Sequence, residues 1–167
     1  MENVSNNKPI NNEIILKSLK ERHPQNQWAF FRELRVGTGY RNVKKGLNPE
    51  QRLDAWAINL YPSKNFLRIA YEIKVSRGDF LREINNPQKR EQALWLSNQF
   101  YFVAPVGLIK PEELPPETGL IEVVDEWQSK IKVAAPVREG GELSWQFLAS
   151  IARRVQAEEE DVSTCQK

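Results

Sequence analysis

Residues 67–75, Leu-Arg-Ile-Ala-Tyr-Glu-Ile-Lys-Val, alternate strictly between two kinds of side chain. Leu67, Ile69, Tyr71, Ile73 and Val75 form an apolar face, while Ala70, Glu72 and Lys74 point the other way, because side chains alternate across a strand. Residues 52–60 read as a second strand. The intervening segment 61–66, Tyr-Pro-Ser-Lys-Asn-Phe, carries turn chemistry, so the two strands are expected to form a hairpin.

The hairpin restricts which side chains can meet. A register in which opposed residue numbers sum to 126 puts Asp54 across from Glu72, and a sum of 128 puts it across from Lys74. In both, the three share one face, with opposed Cβ atoms roughly 5 Å apart. A sum of 127 sends Asp54 and Glu72 to opposite faces and abolishes the constellation.

Two carboxylates at that separation repel unless a cation neutralises them. Hard oxygen donors suit Mg²⁺, with Mn²⁺ as a substitute, and Mg²⁺ takes one or two carboxylates and keeps waters that a phosphate can displace. Lys74 beside them can stabilise charge developing on a phosphorus centre or orient the attacking water. Glu33, on the strand before the hairpin, is the candidate third acid. The chemistry indicated is metal-assisted phosphodiester hydrolysis. The plain alternative is an exposed cross-strand ion ladder of little energetic weight.

The rest of the chain reads as an α+β fold of order α-β-β-β-α-β with later additions, a central mixed sheet flanked by helices. Residues 1–11 read as a disordered N-terminal tail, residues 12–157 as one domain, and residues 158–167 as an acidic disordered tail. A first helix is expected from Glu13 to His23, capped by Asn12. After the strand from Trp28 to Val36 comes a basic, glycine-containing loop with Arg41, Lys44 and Lys45. Helical sequence resumes at 78–84 with Asp79 as cap. A further helix is expected from Asn86 and Pro87 to about Asn98. Phe100–Ala104 reads as a buried strand, short strands follow at 120–124 and 130–134, and a last helix starts at Ser144 with Leu148, Ile151, Ala152 and Val155 on its apolar face.

Three blocks then carry a resemblance. Asp54…Glu72-Ile73-Lys74 resembles the metal-binding signature of the PD-(D/E)XK nuclease superfamily, whose restriction-endonuclease-like core has the same element order. Within it, Arg52–Ala55, Tyr71–Phe80 and Phe100–Pro105, with Glu113–Pro116 and Gly119–Ile121 downstream, resemble the MmcB-type DNA-repair family over roughly residues 28–135. The resemblance implies that Asp54 and Glu72 bind metal with the Ile73 carbonyl as a further ligand, that Lys74 sits near the attacking water, and that Lys89 occupies a basic position on the next helix. It departs from the family at the spacing from Glu33 to Asp54, and at Ala93, where an aromatic is expected.

Charge is consistent with a polyanionic partner. Residues 1–90 hold 17 Lys/Arg against 9 Asp/Glu, while residues 91–167 hold 7 against 13. Arg77 reads as a phosphate contact or solvated charge. Arg41, Lys44 and Lys45 are candidates to clamp a strand. The lone Cys165 argues against disulfides and zinc clusters, and the N-terminus has no signal-peptide pattern. The absence of a long apolar run argues against a membrane partner, and the expected location is the cytoplasm. His23 reads as a charge at a helix C-terminus, and Trp28, Trp56, Trp95, Trp127 and Trp145 read as core. A nuclease acting on DNA is the expectation. RNA as substrate, a catalytically silent nucleic-acid-binding or scaffold module, and a homodimeric state stay open.

Overall fold

Both expected hairpin strands form, and their pairing sets the frame of the molecule. The computed structural model describes residues 9–37 and 51–164, so Arg41, Lys44 and Lys45 lie outside the described residues. The elements are α1 (Asn12–Glu21), β1 (Trp28–Arg35), β2 (Arg52–Asn59), β3 (Arg68–Ile73), α2 (Arg77–Ile84), α3 (Gln88–Trp95), β4 (Gln99–Pro105), β5 (Gly119–Val123), β6 (Ser129–Val133) and α4 (Trp145–Thr164). The six strands form one sheet in sequence order. β1, β2 and β3 pair antiparallel, β3, β4 and β5 pair parallel, and β6 returns antiparallel to β5. The fold is a mixed α+β sheet flanked by helices.

The parallel step from β3 to β4 requires a crossover, which α2 and α3 supply. β4 is buried on both faces, which is why Phe100–Ala104 reads as an unbroken apolar run. Trp56, Ala70, Phe100, Phe102 and Leu120 meet Phe80 of α2, Ala93 of α3 and Phe147 of α4 on one side. Ala55, Ala57, Tyr71, Ile73, Tyr101 and Val103 meet Ile15 and Leu19 of α1 on the other. Phe80, Phe102 and Phe147 are completely buried, and truncating such a ring costs about 3–5 kcal/mol. The Trp56 indole N–H, also buried, donates to the Leu96 carbonyl at 3.1 Å.

Several local expectations are corrected. Asn11, not Asn12, caps α1, accepting the Ile14 N–H at 3.0 Å. Ser76, not Asp79, caps α2. Its hydroxyl accepts the Asp79 N–H and donates to the Asp79 carboxylate, so the two close the first turn together. β3 stops at Ile73, and Val75 is exposed. α3 ends at Trp95 rather than near residue 98. α4 runs on to Thr164, past the expected domain end at 157. It turns Phe147 and Ser150 inward and leaves Leu148 and Val155 exposed.

His23 is buried, not a solvated charge. Its Nδ1–H donates to the Leu19 carbonyl at 2.7 Å and its Nε2 accepts from the Tyr71 hydroxyl at 2.9 Å, while Trp28 and Phe30 enclose the ring. Trp95, Trp127 and Trp145 are exposed, against the expectation of core positions. Trp95 instead clasps residues 140–142, donating its indole N–H to the Glu142 carbonyl at 3.1 Å. Among the described residues no helix is long and apolar enough to cross a membrane.

Candidate functional site

β2 and β3 pair through Ala55↔Tyr71, the register in which residue numbers sum to 126. The ladder ends there. At the next step the Asp54 carboxylate replaces a backbone carbonyl and accepts the Ile73 N–H at 2.8 Å. β3 meanwhile continues along β4, pairing Glu72 with Phe102 and Ile73 with Val103, and the Lys74 N–H donates to the Val103 carbonyl at 2.9 Å. The two strands therefore fork, with Asp54 just past the last β2–β3 pair and Glu72 and Lys74 on the part of β3 that continues along β4.

The side chains there form a compact ion network. Lys74 is only 6% exposed and its Nζ donates to Glu72 at 2.6 Å. It also lies 3.5 Å from Glu83 of α2. Lys89 of α3 reaches over the same group, 2.7 Å from Glu83 and 3.8 Å from Glu72. Glu83, buried and holding both lysines, was missed by sequence reasoning. The signal was present, since Glu83 lies three residues after Phe80 on the buried face of α2.

Asp54, Glu72 and Glu83 thus lie near two ammonium groups in a largely buried setting, and that burial dominates the electrostatics. Burial pushes the Glu72 carboxyl up to about 7, and the Asp54 charge adds to the rise. Burial also raises Asp54, against the lowering effects of the Ile73 N–H, Lys74 and Lys89. Both carboxyls are raised chiefly because burial disfavours their charged forms, and the two lysines offset this only in part. Two carboxylates are the donors the fork could offer a hard cation.

Glu33 lies opposite Asp54, in the gap left between the Arg32↔Ala55 and Leu34↔Leu53 pairs. Its backbone is left-handed, with φ 48°, a conformation that costs an L-residue about 1–2 kcal/mol. Phe31 and Leu34 consequently enter the same core cluster although three residues apart. Glu33 and Asp54 share a cleft of about 220 Å³ with Asn12, Glu13, Arg32 and Arg154. Among the described residues no group of three or more Asp, Glu, His or Cys side chains is gathered closely enough to hold a metal ion. A cation at the fork would therefore rest on Asp54 and Glu72, without Glu33.

No protein-family model and no curated protein matches this chain. A solved structure does: a protein of unknown function from Silicibacter pomeroyi superposes with a TM-score of 0.61 at 20% identity, covering 92% of this chain and 93% of that one. The likeness is one of fold. It extends over nearly the whole length of both chains, so the sheet and its flanking helices are a shared architecture.

The remaining candidates separate. Lys89 belongs to the ion network at the fork. Arg77 does not point into it. Its guanidinium grips the Glu113 carboxylate with two nitrogens and donates to the Leu108 carbonyl at 3.1 Å, tying α2 to the loop after β4. That grip holds the Glu113 carboxyl down at about 2.

Proposed function

We propose that this protein is a metal-dependent nuclease hydrolysing phosphodiester bonds of DNA on a restriction-endonuclease-like core of the PD-(D/E)XK type, with the MmcB-type repair proteins as its nearest functional model. The observation that carries this reading is the fork. Asp54 and Glu72 meet at the end of a paired ladder, with Lys74 hydrogen-bonded to Glu72.

Asp54 and Glu72, with the Ile73 carbonyl, are the residues to hold Mg²⁺ or Mn²⁺. The ion when bound would polarise the phosphate and lower the pKa of water. The protein's own groups supply the rest. The Ile73 N–H fixes the Asp54 carboxylate, and Glu72 and Glu83 together hold the Lys74 ammonium in place. Lys74 can then hydrogen-bond an attacking water or a non-bridging phosphate oxygen. Burial of the group strengthens each of these interactions.

The test is a panel of single-stranded, duplex and branched DNA, with RNA counterparts, incubated with Mg²⁺ or Mn²⁺. Cleavage by the wild type and its loss in Asp54→Ala and Lys74→Ala proteins is the expected result. Undiminished cleavage in both variants would falsify the proposal.

One observation favours a second reading. Lys74 and Lys89 already partner Glu72 and Glu83, so the network can stand as a purely structural ion cluster in a non-catalytic binding module. Calorimetric Mg²⁺ binding that depends on Glu72, with no cleavage of any substrate, would select it.

A further inference from the structure

Beside the acidic fork lies a corner with the opposite charge. Arg35, the last residue of β1, stands directly across the ladder from Arg52, the first residue of β2. Like charges opposed on neighbouring strands are destabilising. Both side chains are exposed, so packing does not demand arginine at either position.

α4 brings two more arginines to the same place. Ser150 is buried and donates its hydroxyl to the Arg35 carbonyl at 2.8 Å, fixing which side of the helix faces this corner. Arg153 and Arg154 follow three and four residues later, on the same side and one turn on. Arg35, Arg52, Arg153 and Arg154 together line a cleft of about 330 Å³. Arg154 is held by Glu158 at 3.2 Å. Among the described residues Arg35, Arg52 and Arg153 have no acidic partner at ion-pair distance.

The cleft adjoins the one that contains Asp54. Glu33 and Arg154 line both this cleft and the one that contains Asp54. Three arginines without an acidic ion-pair partner among the described residues therefore border the cleft next to the one that contains Asp54.

The geometry points to this arginine corner as the seat of the DNA sugar-phosphate backbone next to the bond held at the fork. This assignment rests on the nuclease reading above and names where its substrate lies. Guanidinium groups are suited to the role because their planar fork binds phosphate through two parallel N–H donors. A phosphate seated between Arg35 and Arg52 would relieve their mutual repulsion, so the unfavourable cross-strand pair acquires a purpose. The corner draws on β1, β2 and α4.

The experiment is fluorescence anisotropy of labelled single-stranded and duplex oligonucleotides, in EDTA to hold off cleavage, over a series of salt concentrations. Wild type is compared with the Arg35→Gln/Arg52→Gln double variant, with Arg153→Gln, and with Arg82→Gln, an exposed arginine of α2 paired with Asp79. The double variant should bind at least tenfold more weakly. The slope of log K against log salt should flatten by about 0.9 for each duplex phosphate that the variant no longer neutralises. Arg153→Gln should move in the same direction, and Arg82→Gln should match wild type. Arg52→Lys should restore most of the salt slope but only part of the affinity. Thermal unfolding should show the double variant at least as stable as wild type, which excludes misfolding as the cause.

Unchanged affinity and slope in the double variant overturn the assignment, as does wild-type protein that binds neither oligonucleotide. Arginine-dependent binding to phosphatidylserine vesicles, without binding to either oligonucleotide, overturns it as well. The two proposals fail separately. Arginine-dependent DNA binding with no cleavage under any metal leaves this corner standing and removes the nuclease, whereas full cleavage by the double variant does the reverse.

Discussion

The Asp54 carboxylate accepts the backbone N–H of Ile73 at 2.8 Å, in the position where the next rung of the β2–β3 ladder would otherwise form. One side chain thus ends a strand pairing and opens the site. This double duty makes its two roles separable by substitution.

Asp54→Asn keeps an oxygen to accept the Ile73 N–H and should unfold close to wild type. Asp54→Ala leaves that donor unpaired and should lose about 1–3 kcal/mol in urea denaturation. Both should lose Mg²⁺ binding by calorimetry. Because the Asp54 charge helps to raise Glu72, the Glu72 carboxyl should titrate below its present value of about 7 in Asp54→Asn, read by NMR. Wild-type Mg²⁺ affinity in Asp54→Asn would take Asp54 out of the site.

Glu83 should matter to stability before it matters to chemistry. Removing it leaves buried Lys74 with Glu72 as its remaining close carboxylate. Glu83→Ala should cost about 1–3 kcal/mol, because Lys74 loses one buried partner but keeps Glu72. In a double-mutant cycle, Glu83→Gln with Lys74→Gln should show a coupling of about 0.5–3 kcal/mol. Strict additivity would mean that the two side chains do not communicate.

His23 should make stability depend on pH below neutrality. Burial depresses its pKa from the ordinary 6.5, so the unfolded chain takes up a proton there while the folded chain does not. The unfolded state binds more protons, and stability is therefore lost as pH falls below about 6.5. The limiting slope is about 1.4 kcal/mol per pH unit. Glu72 acts in the opposite sense, since its carboxyl is raised from 4.5 to about 7 and its ionisation costs stability as pH rises through that window. Denaturation curves of wild type and His23→Gln between pH 5 and 7.5 isolate the histidine contribution. Parallel pH profiles for the two proteins would refute it.

Two glycines should respond oppositely to alanine. A Cβ at Gly119 would stand 2.5 Å from both the Ala135 nitrogen and the Tyr101 ring, so Gly119→Ala should lose about 1–3 kcal/mol. At Gly78, in the first turn of α2, a Cβ meets nothing within 4 Å, and Gly78→Ala should gain up to about 1 kcal/mol. Thermal unfolding of both variants checks the contrast.

The hairpin shows how far a sequence can be read. Alternation over residues 67–75 made the strand plain but left sums of 126, 127 and 128 open, and the structure adopts 126. The buried run Phe100–Ala104 was equally plain, because a strand covered on both faces needs apolar residues throughout. The tryptophans were misjudged for the converse reason. Trp95 is apolar enough for a core, yet it clasps a glycine-containing segment from outside, which only the path of residues 140–142 reveals. His23 likewise read as a helix-end charge until Phe30 on the next strand and Tyr71, 48 residues away, closed around it.

By itself the sequence determined which residues share a strand face, since that depends on a period of two and a short turn. Tertiary structure alone decided which helices press on that face. It placed Glu83 beside Lys74, and Arg153 and Arg154 beside Arg35 and Arg52, residues separated by as much as 119 positions yet lining one cleft. Local pattern encodes alternation, whereas the docking of a helix depends on the summed burial of residues such as Phe80 and Phe147, and no single segment of the chain carries that sum.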